Sequence, residues 1–149
     1  MNELIASLQA LLGNTYVMYF KTHSYHWNVE GINFPQYHDF FGDLYEDVYG
    51  TVDDVAENIR KLDVYAPISF TELLGKATLL EDVTKPLGIT EMLQNTLTAN
   101  DTVLGSLNMV FSYAQLNNKQ GLADYVAGRI DTHEKHGWQL RAALKAVTK

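Results

Sequence analysis

The chain has 149 residues, a formal net charge of −7 and no cysteine. The length fits one folded domain, residues 1–149, and without cysteine any metal site must use nitrogen and oxygen ligands. The acidic balance argues against general binding to a phosphate backbone, and no apolar run reaches the roughly 18 residues of a membrane span. Because MNELIASLQ is not typical of a signal peptide, we expect a cytoplasmic protein.

A first helix is predicted from about Asn2 to His26, because apolar residues recur along it at steps of three and four. Gly13 lies inside this helix and is expected to cost it little. The helix ends at the segment NVEGINFP, in which Gly31 and Pro35 interrupt helical structure. The apolar side is predicted to comprise Leu4, Leu8, Leu11, Leu12, Tyr16, Tyr19, Phe20 and His23.

A second helix of about seven turns is predicted from Pro35 to Leu62, with proline in its first turn, where a missing N–H costs nothing. Gly42 and Gly50 lie within it, and each is expected to cost about 1 kcal/mol relative to alanine. The apolar positions that define this helix are Tyr37, Phe41, Leu44, Val48, Val52, Val55, Ile59 and Leu62.

The connection that follows is too long for a bare loop, so a short helical segment is expected around Phe70–Leu74. A third helix is predicted from about Thr90, as its N-cap, to Leu116, and a fourth from Gln120 to Val147. A crossover between the second and third helices lets all four pack with antiparallel neighbours. The sequence therefore predicts an all-α protein built as an antiparallel four-helix bundle.

Four side chains of metal-ligating type lie at the interruption and on the second helix: His26, His38, Asp53 and Glu57. His38 and Asp53 are 15 residues apart, roughly 22 Å along a straight helix, whereas metal–ligand bonds are about 2.0–2.3 Å. One chain therefore cannot bring both pairs to one ion, but an antiparallel two-fold partner can. From spacing alone the commoner alternative stays open, namely satisfied core histidines and a solvated carboxylate pair.

The residues in this region resemble the signature of the Dps family, the miniature ferritins. The family pattern is His-Trp followed by Gly and Phe, a second histidine twelve residues after the first, and Asp-x-x-x-Glu fifteen residues further on. The resemblance extends over essentially the whole chain and includes a His-Gly-Trp segment near the C-terminus. The residues that carry it are His26, Trp27, Gly31, Phe34, His38, Asp53, Glu57, His136 and Trp138.

The resemblance implies a ferritin-like fold with a short extra helix in the crossover, assembled as a hollow dodecamer. It also implies a ferroxidase centre at a two-fold interface, with His26 and His38 from one chain and Asp53 and Glu57 from its partner. There iron(II) would be oxidised by hydrogen peroxide or oxygen, and ferric mineral would be stored inside, as protection against oxidative stress. Zinc is a possible competing ion, and Trp27 resembles the tryptophan that lies beside the iron centre in the family.

Two features depart from the family pattern. Gly42 stands where members often carry an acidic residue, which raises the alternative of a cage with reduced or lost ferroxidase activity. The net charge and the lack of basic residues before Lys21 argue against DNA binding, and a nucleoid-binding shell is the second alternative. By loose transfer, Asp124 is expected to line an acidic pore.

The predicted fourth helix carries a second candidate metal site. No glutamate is followed by histidine three residues later, so a di-iron site inside one chain is not expected. The simpler interpretation of the candidate is one buried and one exposed histidine. Its residues are Asp131, His133, Glu134 and His136.

Overall fold

A computed structural model describes residues 1–84 and 87–148, which contain six α-helices and no strand. None of these helices is both long and apolar enough to cross a membrane. The helices are α1 (Asn2–Asn28), α2 (Phe34–Tyr49), α3 (Val52–Arg60), α4 (Phe70–Gly75), α5 (Ile89–Leu116) and α6 (Gln120–Thr148).

The long helices α1, α5 and α6, together with the consecutive pair α2 and α3, form an antiparallel four-helix bundle. The predicted fold class is confirmed, and α4 lies in the crossover where a short helix was expected. The first helix runs two residues beyond the predicted end. Helix α5 begins one residue before Thr90, so that Gly88 and not Thr90 occupies the N-cap position.

The prediction of one continuous helix from Pro35 to Leu62 is wrong, because a break at Gly50 and Thr51 separates α2 from α3. Thr51 turns its hydroxyl back to the carbonyl of Val48 at 2.7 Å, and its backbone N–H donates to the same oxygen at 3.1 Å. Glycine favours such a break because its backbone loses more freedom in a helix than any other residue. Both residues keep right-handed dihedral angles, so the chain bends without reversing.

The bundle interior holds two groups of buried apolar side chains. The larger joins the first half of α1 to α3, the C-terminal half of α5 and the first half of α6. The smaller lies at the other end of the bundle and includes Tyr25, Phe41, Leu44, Leu93 and Leu140. A fully buried leucine or phenylalanine contributes about 1.5–3 kcal/mol, so these groups account for most of the drive to fold.

Helix α1 is buried on more than its predicted apolar side, because the crossover packs along it. The Asn14 side chain, 1% exposed, accepts hydrogen bonds from the backbone N–H groups of Thr78 and Leu79 at 2.8 and 2.9 Å. Lys21, also buried, pairs with Asp82 at 2.8 Å. Phe20 was predicted to face the core but is 54% exposed. The crossover segments that contact Asn14 and Lys21 do not cover its ring.

Gly13 is required for this packing and is not merely tolerated. A Cβ atom at this position would lie 2.8 Å from the backbone nitrogen of Ala77 and 2.9 Å from the carbonyl oxygen of Leu73. Since both are backbone atoms, the crossover would have to move away from α1. We expect Gly13→Ala to lower the free energy of unfolding by about 1–2 kcal/mol, because overpacking outweighs the gain in helix propensity.

Chemical unfolding monitored by circular dichroism measures this change. Gly128→Ala is the matched control, because a Cβ atom there meets nothing within 4 Å among the described residues and should raise the stability. An equal gain in stability from both substitutions would contradict the predicted close approach.

Candidate metal centre

The end of α1 and the start of α2 are brought side by side by a short connection. Gly31 has a φ of +123°, a conformation that L side chains rarely adopt, and its carbonyl accepts the N–H of Phe34 at 3.0 Å. Pro35 occupies the first turn of α2, where its lack of an N–H leaves no bond unmade. This reversal places His26, in the last turn of α1, against His38, in the first turns of α2.

The two histidines hold each other through reciprocal hydrogen bonds. The Nδ1 atom of His26 lies 2.6 Å from the carbonyl oxygen of His38, and the Nδ1 atom of His38 lies 2.7 Å from the carbonyl oxygen of His26. The rings stack with their centroids 3.8 Å apart and their planes 18° from parallel. We call this arrangement the histidine clamp.

The clamp determines which nitrogen of each ring is available. A carbonyl oxygen can only accept, so each Nδ1 must carry the hydrogen and donate it. Each neutral ring therefore keeps its lone pair on Nε2, the atom that remains outside the clamp. Metal-bound histidines commonly have their other nitrogen fixed in this way by a carbonyl, which sets both the tautomer and the ring orientation.

The predicted carboxylates lie on α3, beyond the break in the second bundle helix. Asp53 and Glu57 are both exposed and lie four residues apart, on the same side of α3. The hydrogen bond with Asp53, and then the negative charge of Asp53, raise the pKa of the Glu57 carboxyl. Two carboxylates that repel each other at an exposed surface form an attractive site for a cation.

The structure thus brings the predicted ligands together as two separate pairs. Within residues 1–84 and 87–148, no group of three or more histidine, aspartate or glutamate side chains is placed to hold a metal ion. Each pair offers only two donors in a single chain. The assignment of His26, His38, Asp53 and Glu57 to one centre therefore stays a prediction.

Aromatic side chains lie next to the clamp, and one of them, Tyr45, was not predicted from the sequence. Tyr45 lies 5.3 Å from the His26 ring and stacks on His23 at 3.8 Å, while Trp27 lies 4.0 Å from the other side of His23. Trp27 itself is 56% exposed. Its spacing from His38 could have identified Tyr45, because it follows His38 by seven residues and so lies about two helical turns further along the same face.

The second candidate metal site, on α6, is not formed. Buried His133 has both nitrogens engaged, Nδ1 with the Asn100 side-chain oxygen at 2.9 Å and Nε2 with Arg129 at 3.0 Å. His136 contacts a carboxylate oxygen of Asp47 at 2.8 Å. The remaining candidates, Asp131 and Glu134, are exposed.

Arg129 and Asp47 link α6 to α2 across the bundle interior. The guanidinium makes two hydrogen bonds to the carboxylate, at 2.7 and 3.0 Å. Burial opposes the charge of Asp47, but the hydrogen bonds from His136 and Arg129 outweigh it and hold the pKa of this carboxyl well below its usual range. The side chains of Asp47, Arg129, His133, His136 and Asn100 form what we call the polar layer.

Comparison with known proteins identifies the family to which this helical bundle is similar. The family described as ferritin-like domain matches residues 5–149. An uncharacterized protein of Haemophilus influenzae is 30% identical over 143 residues, covering 96% of this chain and 89% of that protein. The DNA protection during starvation protein of Brevibacillus brevis is 28% identical over 144 residues, covering 96% of each.

A solved structure agrees. The Dps protein of Vibrio cholerae, described as a member of a broad superfamily of ferritin-like diiron-carboxylate proteins, superposes with a TM-score of 0.90 at 28% identity. The match covers 96% of this chain and 89% of that one. The chain belongs to the Dps group of the ferritin-like family. Membership in the Dps group confirms the resemblance found in the sequence. The histidine clamp and the carboxylate pair are the two candidate parts of a metal site in this Dps chain.

The polar layer makes the stability of the fold depend on pH. Burial, and then the positive charge of Arg129, lower the pKa of His133 from 6.5 to about 3. Below about pH 6.5 the unfolded chain therefore takes up a proton at this ring while the folded chain does not, so the stability falls as the pH is lowered from 6.5 towards 3. We expect the free energy of unfolding to decrease between about pH 7.5 and 4.5, above the range in which Asp47 titrates.

Urea unfolding at several pH values tests this expectation. His133→Gln should be less stable at neutral pH but should lose less stability on acidification, because it removes the titrating group. Glu134→Gln, on the exposed side of the same helix, is the control and should keep the slope of the parent protein. Identical slopes for the parent and His133→Gln would contradict the assignment.

Proposed function

We propose that the protein is a mini-ferritin that binds iron(II) at a centre shared between two chains, oxidises it and stores the ferric product in a protein shell. The histidine clamp is the observation that carries the proposal. It fixes two Nε2 lone pairs side by side, and nothing within the described part of the chain completes their coordination. The exposed carboxylate pair on α3 likewise offers only two ligands, and it lacks the nitrogen ligands that the clamp would supply.

The donor set suits iron. Imidazole nitrogens from His26 and His38, combined with carboxylate oxygens from Asp53 and Glu57, match the mixed ligation that iron(II) accepts, and four protein ligands leave positions open for an oxidant. Iron(II) is the substrate, and hydrogen peroxide or oxygen takes up its electron. The carboxylates favour the more highly charged ferric product. Zinc accepts the same ligands and is the expected competitor.

A two-fold pair of chains would put the clamp of one chain opposite the carboxylates of the other. Large apolar side chains are exposed along α1, at the end of α2 and on the crossover, between the clamp and α3, as expected for a surface that a second chain covers. They are Phe20, Trp27, Tyr49, Ile68 and Phe70. We propose a single ferritin-like domain, residues 1–149, assembled as a hollow cytoplasmic dodecamer in which exposed Asp124 lines an acidic pore.

Trp27 has the position of a redox-active neighbour. Its ring contacts His23, which in turn contacts the His26 ring at 6.1 Å. An oxidisable indole at this distance would intercept oxidising equivalents that escape the centre. Removing iron(II) and peroxide together limits radical formation, which is the protective role we propose.

A subunit-mixing experiment tests the shared centre. His38→Ala removes one half of each centre and the double variant Asp53→Asn/Glu57→Gln removes the other, so each assembly alone should oxidise iron(II) no faster than buffer. Shells reassembled from equal amounts of both should recover roughly a quarter of the parent activity, because half of the two-fold pairs are mixed and one of their two centres is intact. Ferric absorbance after anaerobic loading and addition of peroxide reports the rate.

Asp131→Asn, a substitution on the exposed side of α6, is the control and should leave the rate unchanged. Mixed shells without activity would mean that each centre is contained in one chain. If His38→Ala alone oxidised iron(II) at the parent rate, the alternative of a cage with lost ferroxidase activity would stand. A monomeric protein would exclude the shared centre.

Binding to DNA is the second candidate function, because a relative carries the name DNA protection during starvation protein. The net charge of −7 counts against it, and Lys21, the first cationic side chain of the sequence, is buried in its ion pair with Asp82. We expect no shift of linear duplex DNA in a gel assay at low salt, where electrostatic binding is strongest. A retarded band that disappears with added salt would establish the nucleoid-binding alternative.

A further inference from the structure

We infer that Gly42 is a positioning residue for His26, because its missing side chain lets the His26 ring of this chain lie directly over the backbone of α2. This inference rests on the proposed function only for its effect on metal binding. The contact itself is a property of the metal-free chain.

Two donors, one from each helix, reach the carbonyl oxygen of His38. Inside α2 it is the regular helical acceptor for the N–H of Gly42, four residues later. The Nδ1 atom of His26 reaches the same oxygen at 2.6 Å. The imidazole of His26 must therefore approach α2 directly over the backbone of Gly42.

A side chain at position 42 would obstruct this approach. A Cβ atom there would lie 3.0 Å from Nδ1 of His26 and 3.1 Å from its Cε1 atom, closer than nearly all real Cβ contacts. The ring would have to retreat by a few tenths of an ångström. Such a shift lengthens the hydrogen bond to His38 and re-aims Nε2, at a site where metal–ligand distances are specified to about 0.2 Å.

The close approach of two helices is the competing explanation for a glycine here. At Gly42 the atoms of the described residues that a Cβ would meet within 4 Å, apart from the backbone of α2 itself, belong to the His26 ring, whereas at Gly13 the corresponding atoms are backbone. The packing of α1 on α2 therefore does not require glycine at position 42. What a side chain there would displace is the ring of one proposed ligand, His26.

The two explanations predict opposite changes. In a helix interior alanine is more favourable than glycine, so a substitution that leaves the packing intact should raise the melting temperature. Gly42→Ala should therefore fail to lower the melting temperature while it weakens the metal site. Gly105→Ala is the matched control, because this glycine lies in the middle of α5 and no atom of residues 1–84 or 87–148 lies within 4 Å of its Cβ position.

Cobalt(II) is the probe for the metal site, because its visible absorption reports the ligands and the geometry around it. In the assembled protein we expect Gly42→Ala to bind cobalt(II) roughly 10- to 100-fold more weakly, with an altered visible spectrum, as for other groups that orient metal-bound histidines. Gly105→Ala should match the parent in both respects. Parent affinity and spectrum in Gly42→Ala would overturn the inference.

A metal-free measurement separates this inference from the proposed function. In a His26→Ala background there is no ring at the Cβ position, so Gly42→Ala should raise the melting temperature by more than it does in the parent protein. Equal increments in the two backgrounds would overturn the inference, as would a loss of folding in both. If instead His38→Ala left cobalt(II) binding unchanged, the proposed metal centre would fail while the measured contact between position 42 and His26 would stand.

Discussion

Inside the bundle the carboxylate of Asp47 and the guanidinium of Arg129 must stay paired, and this requirement holds α2 in register with α6. A partly enclosed charge that loses its partner is strongly destabilising, whereas a slide of one helix by a single turn moves a side chain by about 5.4 Å. Such a slide would break both hydrogen bonds of the pair and the contact with His136. Apolar side chains tolerate shifts far better, so the polar layer supplies the specificity that the two core groups lack.

The candidate centre inherits its geometry from this register. His38 precedes Asp47 by nine residues on the same helix, roughly 13 Å along the axis, so its height in the bundle is set by the ion pair. The clamp then ties α1 to α2 at that height. The carboxylates depend on a different support, because α3 is anchored beyond the break by the buried side chains of Val55 and Ile59.

Much of this arrangement could be predicted from residue spacing. Apolar periodicity located the four long helical stretches, and local intervals predicted two pairs of candidate ligands, which stay a prediction. The break at Gly50 escaped because Val48 and Val52 continue the apolar pattern across it, so periodicity alone shows no interruption. The requirement for Gly13 escaped for another reason, since its neighbours Leu73 and Ala77 lie 60 or more residues away in sequence. The proposed joining of the two pairs depends on a second chain, which one sequence does not contain.

The attachment of the crossover to α1 also constrains the order in which the chain can complete itself during synthesis. The outer side of α1 has no neighbour of its own until Ala77, Leu79 and Asp82 have been made, some 60 residues after Gly13, Asn14 and Lys21. Closing a loop of that length is entropically costly and slow compared with pairing α1 and α2 across their short connection. A nascent chain that already holds both histidines therefore still exposes one side of its first helix to water.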